Sequence, residues 1–549
     1  MKNKLSCLFQ FLKISLFIIA VFSGLIYFLT REKPYTQTHL PTKGNTVSIL
    51  LLDGLSKRIF KDLLAQGKLP HLAQLIQKST YVEHGIAAFP SMTGYGFYPF
   101  ITGEDASKSG IMGLRWFDRR LDKGNLRNYV GRSNVNMNHD IHPSPQNIFE
   151  LHDTFYTASI NSYMNRGVHH TEMTSWAHTT SKFQEQPGFK QLRQLPWWGQ
   201  KFAKNHFEHE SLVMDKAIAQ LSRNPKVQWV TFPSLDASNH ISGTTDEYYL
   251  LLQHIDGLVG RFIEAVNQLE QSSNRMIAII TDHGISDVSK NLDIPQTLQN
   301  QYGISLIRGS SVNLFSSELS ENISDFVDKN GYFVINGNLS AYIYLRDTAQ
   351  NPTAQHWRRR LSFALLEHFP TKRGFIHLPQ AIASIEGVEL VACLKNDSTV
   401  SIFNAQNSAD IVYHPLKGYR YITGANDPLS YNDSPILRGM IQRGFHSADV
   451  WLEASVTSDY PDALHRLYQL MSADRVGDLL ITGKKGYDVA ADYEIFVKNY
   501  KGGHGGLRSE LLDVPYILYQ PQAEPRILPY LRAEDVGKMI KNFLNGGSM

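Results

Sequence analysis

Six side chains that can bind metal ions lie at the ends of apolar runs or between glycines. They are Asp53 in LLLDG, Asp236 and His240 in PSLDASNH, Asp282 and His283 in ITDHG, and His504 in GGHGG. Carboxylate oxygens and neutral imidazole nitrogens are ligands that zinc accepts, and six of them could fill two sites with open coordination positions. Two metal ions about 4 Å apart can hold both the attacking and the leaving oxygen of a phosphoryl transfer. Each motif alone is more often a turn, a solvated helix face or a flexible loop, so the joint pattern carries the prediction.

A run of glycines and aromatic residues, AAFPSMTGYGFYPFITG (87–103), contains three hydroxyls that could act as a nucleophile: Ser91, Thr93 and Thr102. A hydroxyl is a poor nucleophile at its own pKa, and coordination by a metal ion activates it. A helix that begins beside the hydroxyl would add backbone N–H groups and a favourable dipole for phosphate oxygens. Taken alone, the run allows any of the three as nucleophile, and a simple turn explains it as well.

Continuous apolar runs predict the strands that must position these residues. The predicted strands are 47–53, 155–164, 227–236, 276–284 and 514–520, and helical patterns between them include 57–66, 71–77 and 247–270. Strands that alternate with helices predict an α/β fold, a three-layer sandwich around a mostly parallel sheet. Three of these strands end in or beside an aspartate. Because ligands bind at the carboxyl ends of strands in such sheets, we expect the three carboxylates to meet at one edge.

The alternation of strands and helices breaks down between about 305 and 475, where short strand-like and helical pieces are mixed. We interpret this stretch as an inserted cap region, because a core-like strand returns after it. The predicted organisation is a signal anchor or transmembrane helix (1–33), a linker (34–46), the first part of the catalytic core (47–304), the cap (305–475) and the returning part of the core (476–549).

An apolar run from 14 to 29 follows three lysines, Lys2, Lys4 and Lys13. No small-residue cleavage pattern follows it, which favours an uncleaved membrane anchor over a cleaved secretory signal. The positive-inside rule then leaves the amino terminus in the cytoplasm and the catalytic part in the periplasm, outside the inner membrane. Cys7 and Cys393 would lie on opposite sides of the membrane and could not pair.

Charge and composition exclude few partners. The formal net charge of +3 gives no indication of a nucleic-acid duplex as ligand, because such ligands need a basic surface. The oligomeric state is not indicated by the sequence.

Taken together and in order, the motifs resemble the alkaline phosphatase superfamily, and within it the type I phosphodiesterase/nucleotide pyrophosphatase branch. The resemblance rests on LLLDG, FPSMT, LDASNHISG, ITDHG and GGHGG, and covers about 45–300 and 475–525. It implies an alkaline phosphatase-like fold and two divalent metal ions, with zinc expected. One ion would be held by Asp53, Asp282 and His283, and the other by Asp236, His240 and His504, with the nucleophile between them.

The same resemblance selects a nucleophile from the three hydroxyls. In the family a Pro-x-x-Thr motif places the nucleophile at a helix start, followed nine and ten residues later by a Thr-Gly pair. Assigning this role to Thr93 brings Thr102 and Gly103 into register, whereas assigning it to Ser91 breaks the register. Ser91 is then interpreted as an N-cap or turn hydroxyl.

The chain departs from the family pattern after the nucleophile. Gly96 and Phe97 stand where the branch usually has Asn and His, and Leu114 stands where the family has an Asn that contacts a phosphate oxygen. Leucine cannot donate a hydrogen bond. Arg115 is the predicted substitute, because a guanidinium offers phosphate a planar fork of donors. The alternative interpretation of Arg115 is a surface salt bridge.

The implied function is a membrane-anchored two-metal phosphoric ester hydrolase that forms a phosphothreonine intermediate at Thr93. Its substrate would be a phosphate-ester small molecule or a lipid head group, and its activity should rise toward alkaline pH as metal-bound water ionises. One alternative is a phosphoethanolamine or phosphoglycerol transferase that modifies an envelope lipid or glycan. A second alternative is a non-catalytic envelope binding protein on the same fold. Preference between monoesters and diesters is left open.

Two further groups of residues allow two interpretations each. His169, His170 and His178 could line a substrate cleft or belong to a polar loop. Several aromatic residues near the nucleophile could stack on a substrate, although core packing explains aromatic residues more often. These are Tyr95, Phe97, Tyr98, Trp116 and Phe117.

Overall fold

The computed structural model describes residues 39–120, 125–129, 137–172, 174, 205–270, 272–308, 318–319, 329–346, 359–424, 426–489 and 500–547. The predicted membrane anchor at 1–33 lies outside these ranges. Within them, no helix combines the length and the apolar character that a membrane crossing requires. The described residues from Leu40 onward form one compact unit.

The described strands are β1 (Thr46–Leu52), β2 (Thr80–Ile86), β3 (Arg115–Asp118), β4 (Asn125–Asn128), β5 (Thr157–Ile160), β6 (His170–Glu172), β7 (Val227–Phe232), β8 (Arg275–Ile280), β9 (Ser286–Asn291), β10 (Leu306–Arg308), β11 (Glu318–Leu319), β12 (Gly331–Asn336), β13 (Ser340–Leu345), β14 (Phe369–Thr371), β15 (Gly374–Ile376), β16 (Val388–Asn396), β17 (Thr399–Phe403), β18 (Ser408–His414), β19 (Gly418–Thr423), β20 (Leu479–Gly483), β21 (Gly486–Asp488), β22 (Gly502–Gly503), β23 (Asp513–Tyr519) and β24 (Arg526–Arg532).

The described α-helices are α1 (Lys57–Ala65), α2 (Pro70–Ile76), α3 (Tyr98–Thr102), α4 (Met137–Asp140), α5 (His206–Leu221), α6 (Ser234–Ser242), α7 (Asp246–Asn267), α8 (Ile294–Tyr302), α9 (Phe363–Glu367), α10 (Leu378–Ala383), α11 (Pro435–Arg443), α12 (Ala448–Ser455), α13 (Ala463–Ser472), α14 (Ser509–Leu512) and α15 (Ala533–Leu544). The three helices predicted from sequence periodicity correspond to α1, α2 and α7, with their ends shifted by at most three residues.

The first sheet has eight described strands in the order β24-β2-β23-β8-β1-β7-β5-β6. Its central strand β1 pairs in parallel with β7 on one side and with β8 on the other. Strand β23 runs antiparallel to both of its neighbours, so the sheet is mixed. The predicted α/β class with a mostly parallel sheet is therefore confirmed.

Two cores cover the two faces of this sheet. Along β1, Ile49 and Leu51 point into one core, whereas Leu50 and Leu52 point into the other. This alternation follows from the two-residue period of a strand, and it explains why the run is apolar throughout. Helices α1, α2, α5 and α7 cover the second core, and α3 and α15 contribute to the first.

The predicted strand 227–236 is too long, because β7 ends at Phe232 and α6 begins at Ser234. Pro233 lies between them, and it has no N–H with which to continue the sheet hydrogen bonds. Asp236 therefore lies in the first turn of a helix rather than at the end of a strand.

The second sheet also has eight described strands, in the order β10-β12-β13-β20-β16-β17-β18-β19. One of its faces shares the first core, into which Tyr342 and Tyr344 project, and its other face covers a separate core that contains Ile343 and Leu345. Strand β20 of this sheet follows residue 475, where the cap was predicted to end. The predicted domain boundaries remain a prediction.

A small sheet of β21, β9 and β22 joins two loops that the sequence predicted to bind metal. Strand β9 follows Asp282 and His283, whereas β22 immediately precedes His504. The two strands pair antiparallel, with Gly503 opposite Ser286. This pairing brings loops more than 200 residues apart to the carboxyl edge of the first sheet.

Candidate functional site

Asp53, Asp236 and Asp282 meet at the carboxyl edge of the first sheet, as predicted. Asp53 directly follows β1, and its backbone oxygen accepts a hydrogen bond from the N–H of Asp236 at 3.2 Å. Gly54 allows this approach, because a Cβ atom there would lie 2.9 Å from the Cβ of Asp236 and its φ is +70°. Only glycine combines that backbone conformation with that contact at low cost.

One candidate metal group surrounds His283. The Nε2 atom of His283 lies 3.3 Å from Oδ1 of Asp53 and 3.6 Å from Oδ2 of Asp282. Ligand atoms of Asp53, Asp236 and His283 all lie within 4.8 Å of one another. His283 and Asp282 are fully buried, so their charges have little access to water.

The second candidate metal group surrounds Asp236. Its Oδ2 atom lies 3.3 Å from Nε2 of His240, and its Oδ1 atom lies 3.7 Å from Nε2 of His504. The three ligand atoms fall within 4.8 Å of one another. The rings of His504 and His283 are stacked with their centroids 3.9 Å apart, so the two groups are adjacent.

Backbone carbonyls fix the tautomer of all three histidines. Nδ1 lies 2.9 Å from a carbonyl oxygen in each: Gly502 for His240, Gly284 for His283 and Ser91 for His504. A carbonyl only accepts hydrogen bonds, so Nδ1 carries a hydrogen, and in the neutral ring the Nε2 lone pair faces the carboxylates. A neutral Nε2 and a carboxylate oxygen both accept hydrogen bonds, so they cannot bond to each other. A cation between them would stabilise their close approach. Such a backbone contact at the second ring nitrogen is typical of metal-bound histidine.

Burial and like charges disfavour the ionised forms of Asp53 and Asp282, whereas the neighbouring histidines lower the pKa of Asp236. Burial raises the pKa of Asp53 well above its usual range, and the neighbouring Asp282 and Asp236 raise it further. Burial likewise raises the pKa of Asp282 to about 6. Burial and the adjacent His283 lower the pKa of His504, which favours the neutral ring that a metal requires.

Three buried carboxylate oxygens in the cluster lack a hydrogen-bond partner among the described residues: Oδ1 of Asp236 and both oxygens of Asp282. Buried charges in proteins are normally paired or coordinate metals. The donor set of carboxylate oxygens and neutral imidazoles therefore fits divalent cations, zinc among them.

The hydroxyl of Thr93 lies within this cluster. Its Oγ1 atom is 3.2 Å from Oδ1 of Asp53 and 3.2 Å from Nε2 of His283. The predicted helix start is only partly correct, because a short 3₁₀ turn (Tyr95–Phe97) follows Thr93 and the α-helix α3 begins at Tyr98. Gly94 between them has a φ of +78°, which an α-helix does not allow.

The other two hydroxyls of the run have structural partners. The Ser91 hydroxyl donates to the carbonyl of Gly506 at 2.9 Å and accepts from the N–H of Gly505 at 3.1 Å. Ser91 is thus not an N-cap, since it links the segment that contains Thr93 to the glycine loop around His504. Thr102 donates to the carbonyl of Tyr98 in the same helix.

Arg115 begins β3 and is 5% exposed, which does not fit a surface salt bridge. Its backbone N–H donates to Oδ1 of Asn336 at 3.1 Å. The preceding residue, Leu114, directs its N–H to Sδ of Met92 at 3.2 Å and packs its side chain against the first core. Contact of Arg115 with a phosphate remains a prediction.

The remaining sequence candidates lie elsewhere. The aromatic residues near the nucleophile are buried in the core rather than open to a substrate. His169 bonds to Thr157 at the edge of the first sheet, and His170 lies in the edge strand β6. His178 is outside the described residues.

Tyr163 was not predicted from the sequence, although it lies at the cluster. Its ring fills the space beside Gly94, where an added Cβ would be 2.6 Å from Cδ2 of Tyr163. Burial and the carboxylates of Asp53, Asp236 and Asp282 raise the pKa of Tyr163. A tyrosine 70 residues beyond the nucleophile motif carries no pattern by which it could be recognised.

An α/β sheet with clustered carboxylates and imidazoles around a buried hydroxyl defines a class of candidate metal-dependent phosphoryl-transfer proteins. A sequence model of the type I phosphodiesterase / nucleotide pyrophosphatase family matches residues 47–449. The chain belongs to this family, as the sequence motifs predicted.

The sequence matches a distant relative. An uncharacterised pyrophosphatase/phosphodiesterase of Schizosaccharomyces pombe is 22% identical over 264 residues, which are 48% of this chain and 49% of that protein. The chain therefore spans about half the length of this relative.

Solved structures of murine ectonucleotide pyrophosphatase/phosphodiesterase 5 align over more of the chain. An inactive variant in complex with AMP is 12% identical, with a TM-score of 0.49, over 92% of this chain and 95% of that one. A second structure of that protein is 13% identical, also with a TM-score of 0.49, over 91% and 95%.

Proposed function

We propose that this protein is a metal-dependent phosphoric ester hydrolase, a phosphodiesterase or phosphatase, that forms a phosphothreonine at Thr93. The observation that carries this proposal is the position of the Thr93 hydroxyl, 3.2 Å from both Asp53 and His283 in the buried carboxylate–imidazole cluster. Family membership supports the same reaction class. The substrate we propose is a phosphate ester of a small molecule, such as a nucleotide, or of a lipid head group.

Two divalent cations, for which we propose zinc, would be held at the two groups of ligands. Asp53, Asp282 and His283 would hold one and Asp236, His240 and His504 the other, with the oxygen of Thr93 between them. When bound, such ions supply positive charge that lowers the pKa of a nucleophilic hydroxyl and stabilises negative charge on the phosphoryl oxygens.

The protein side chains orient and drive the transfer. Thr93 is placed for attack on phosphorus, and its hydroxyl proton is directed at Oδ1 of Asp53. As the Thr93 oxygen bonds to phosphorus, its hydroxyl proton passes to solvent, the bond to the leaving alcohol breaks, and the leaving oxygen takes a proton from solvent. Water then attacks the phosphothreonine, which releases the phosphate product and restores the Thr93 hydroxyl.

The location that we propose is the inner membrane, with the amino terminus in the cytoplasm and the catalytic part in the periplasm. The apolar run from 14 to 29 and the lysines before it support this proposal. Membrane fractionation, followed by protease digestion of intact spheroplasts, tests it. Recovery of the catalytic part in the cytoplasmic fraction would contradict it.

The proposed function is tested with the purified full-length chain in detergent. We expect about two metal ions per chain by elemental analysis, and hydrolysis of aryl phosphate mono- or diesters that a chelator abolishes and added zinc restores. Mass spectrometry after an acid quench should find a phosphoryl group on Thr93. A metal content below one ion per active chain would disprove the two-metal proposal. Addition of an acceptor lipid separates hydrolysis from transfer.

A further inference from the structure

The segment after the nucleophile lacks one phosphate-binding group that its family pattern contains. Leu114 occupies the position of the family's amide donor, and its side chain packs against the first core. In phosphoryl transfer, donors that are aimed at the phosphoryl oxygens stabilise the developing charge. A replacement donor would have to reach the same segment from elsewhere in the fold. The inference that follows rests on the proposed function.

Asn336, at the end of β12 in the second sheet, lies directly against this segment. Its Oδ1 accepts the backbone N–H of Arg115 at 3.1 Å. A Cβ atom added to Gly113 would lie 2.3 Å from Oδ1 of Asn336 and 3.0 Å from Sδ of Met92. The Asn336 amide and the Met92 side chain therefore both pack against Gly113. Met92 is the residue before the nucleophile. Asn336 thus touches the backbone on both sides of Leu114.

Asn336 also borders the loop that carries a proposed metal ligand. A Cβ on Gly505 would lie 2.5 Å from the backbone oxygen of Asn336, and one on Gly337 would lie 2.6 Å from the backbone oxygen of His504. Ser91 links this loop to the segment of the proposed nucleophile. Its hydroxyl oxygen accepts a hydrogen bond from the N–H of Gly505, and its carbonyl oxygen accepts one from Nδ1 of His504. Three segments of the site therefore converge on Asn336.

The amide nitrogen of Asn336 is unused. A backbone N–H can only donate, so the contact with Arg115 identifies the nearer amide atom as oxygen and fixes the orientation of the group. Its Nδ2 is buried and has no hydrogen-bond partner among the described residues. A buried donor without a partner is unfavourable, and a bound acceptor would offset that cost.

We propose that Asn336 supplies the phosphate-oxygen donor that Leu114 cannot. Oδ1 holds the Arg115 backbone, and Nδ2 donates to a non-bridging oxygen of the substrate phosphate. The second sheet thus contributes a catalytic residue to a site otherwise built on the first sheet.

The test compares three variants of the full-length, metal-loaded protein: Asn336→Ala, Asn336→Asp and the double variant Leu114→Asn/Asn336→Ala. The readouts are kcat/KM on an aryl phosphate ester, the inhibition constant of inorganic phosphate, and the metal content. Loss of one such donor costs about 100-fold or more in other enzymes. We expect a loss of that size for Asn336→Ala, weaker inhibition by phosphate, and two metal ions still bound.

Asn336→Asp retains an oxygen for the Arg115 N–H but removes the donor, so we expect it to lose activity as well. The double variant returns an amide to the family position, and we expect it to regain at least tenfold over Asn336→Ala. A matched control is Asn338→Ala in the same turn, whose amide already donates to Asp488 at 3.1 Å. It should lower thermal stability without weakening phosphate inhibition.

Two outcomes would overturn the proposal. Full activity of Asn336→Asp with unchanged phosphate inhibition would show that only the Oδ1 contact matters. Equal weakening of phosphate inhibition in Asn338→Ala would show a general effect of the turn. If the wild-type protein does not hydrolyse the ester, or if Thr93→Ala retains activity, the proposed function itself is disproved.

Discussion

The hydroxyl oxygen of Thr93 lies 3.2 Å from Oδ1 of Asp53, a carboxylate 40 residues earlier in the chain. Asp53 directly follows the central strand β1 of the first sheet, whereas Thr93 lies in a glycine-rich turn that reaches over the sheet edge. The carboxylate is buried and its pKa is raised by burial and by two neighbouring carboxylates. The hydroxyl thus lies against a carboxylate that is a proposed metal ligand, where a bound cation would activate it.

This relationship predicts that the nucleophile is Thr93 alone among the hydroxyls of its segment. Thr93→Ala should lose at least about 1000-fold in kcat, as removal of a catalytic nucleophile does in other hydrolases. Thr93→Ser should retain measurable activity, because it keeps the attacking oxygen. Both rates are measured on an aryl phosphate ester at fixed metal concentration.

The matched control is Thr102→Ala, which removes a hydroxyl that donates to the Tyr98 carbonyl in α3. It should cost about 1 kcal/mol of stability and leave kcat within a factor of two. Activity of Thr93→Ala equal to that of wild type would rule out the phosphothreonine route.

A second prediction concerns the ligands of one metal group. His504→Ala removes an Nε2 atom that faces Asp236 at 3.7 Å, and the bound metal should fall from about two ions to about one per chain. Elemental analysis after dialysis against a weak chelator measures this. His254→Ala, which removes a half-buried histidine bonded to Ser211 on α5, should retain both ions. Identical metal content in the two variants would exclude His504 as a ligand.

The sequence predicted the parts of the site that follow local patterns. Asp53 and Asp282 were found because apolar strands end beside them, and Thr93 because the motif register selects it. The apolar run also predicts Asp236, but at a strand end, whereas Pro233 ends the strand and Asp236 lies in the first turn of α6. Asn336 could not have been found, because it is 221 residues from Arg115 and reaches it only through the packing of the second sheet.

A third prediction concerns the attachment of α13 to the first sheet. Arg466 is 1% exposed, and its Nη1 lies 2.7 Å from Asp105 and 3.0 Å from Glu534. Although burial opposes ionisation, Arg466 holds the pKa of Glu534 well below its usual value. Arg466→Met would leave the buried carboxylate of Glu534 and the half-buried carboxylate of Asp105 without this cation, and should cost about 3–5 kcal/mol of unfolding free energy.

Urea denaturation of the metal-loaded protein measures this cost. The control is Arg261→Met, which removes an exposed ion pair with Asp215 and should cost less than about 1 kcal/mol. Comparable midpoints for the two variants would mean that the buried cluster does not stabilise the fold.

The fourth prediction links pH to the helix that carries Asp236 and His240. Glu210 on α5 is fully buried, and its Oε1 accepts the N–H of Ser234, the first residue of α6, at 2.6 Å. Burial raises the pKa of Glu210 from 4.5 to about 8. The folded protein therefore holds this proton more tightly than the unfolded chain. The resulting stabilisation is complete below about pH 4.5 and is lost as pH rises toward 8.

Between these limits the wild-type unfolding free energy should fall by about 1.4 kcal/mol per pH unit on account of Glu210. Glu210→Gln keeps an oxygen for the Ser234 N–H and cannot ionise, so its melting temperature should decline less from pH 5 to pH 8. Differential scanning fluorimetry at matched ionic strength measures both curves. Glu208→Gln, an exposed change on the same helix, should follow the wild-type curve. If the Glu210→Gln curve also runs parallel to that of wild type, Glu210 ionises as freely in the folded protein as in the unfolded chain.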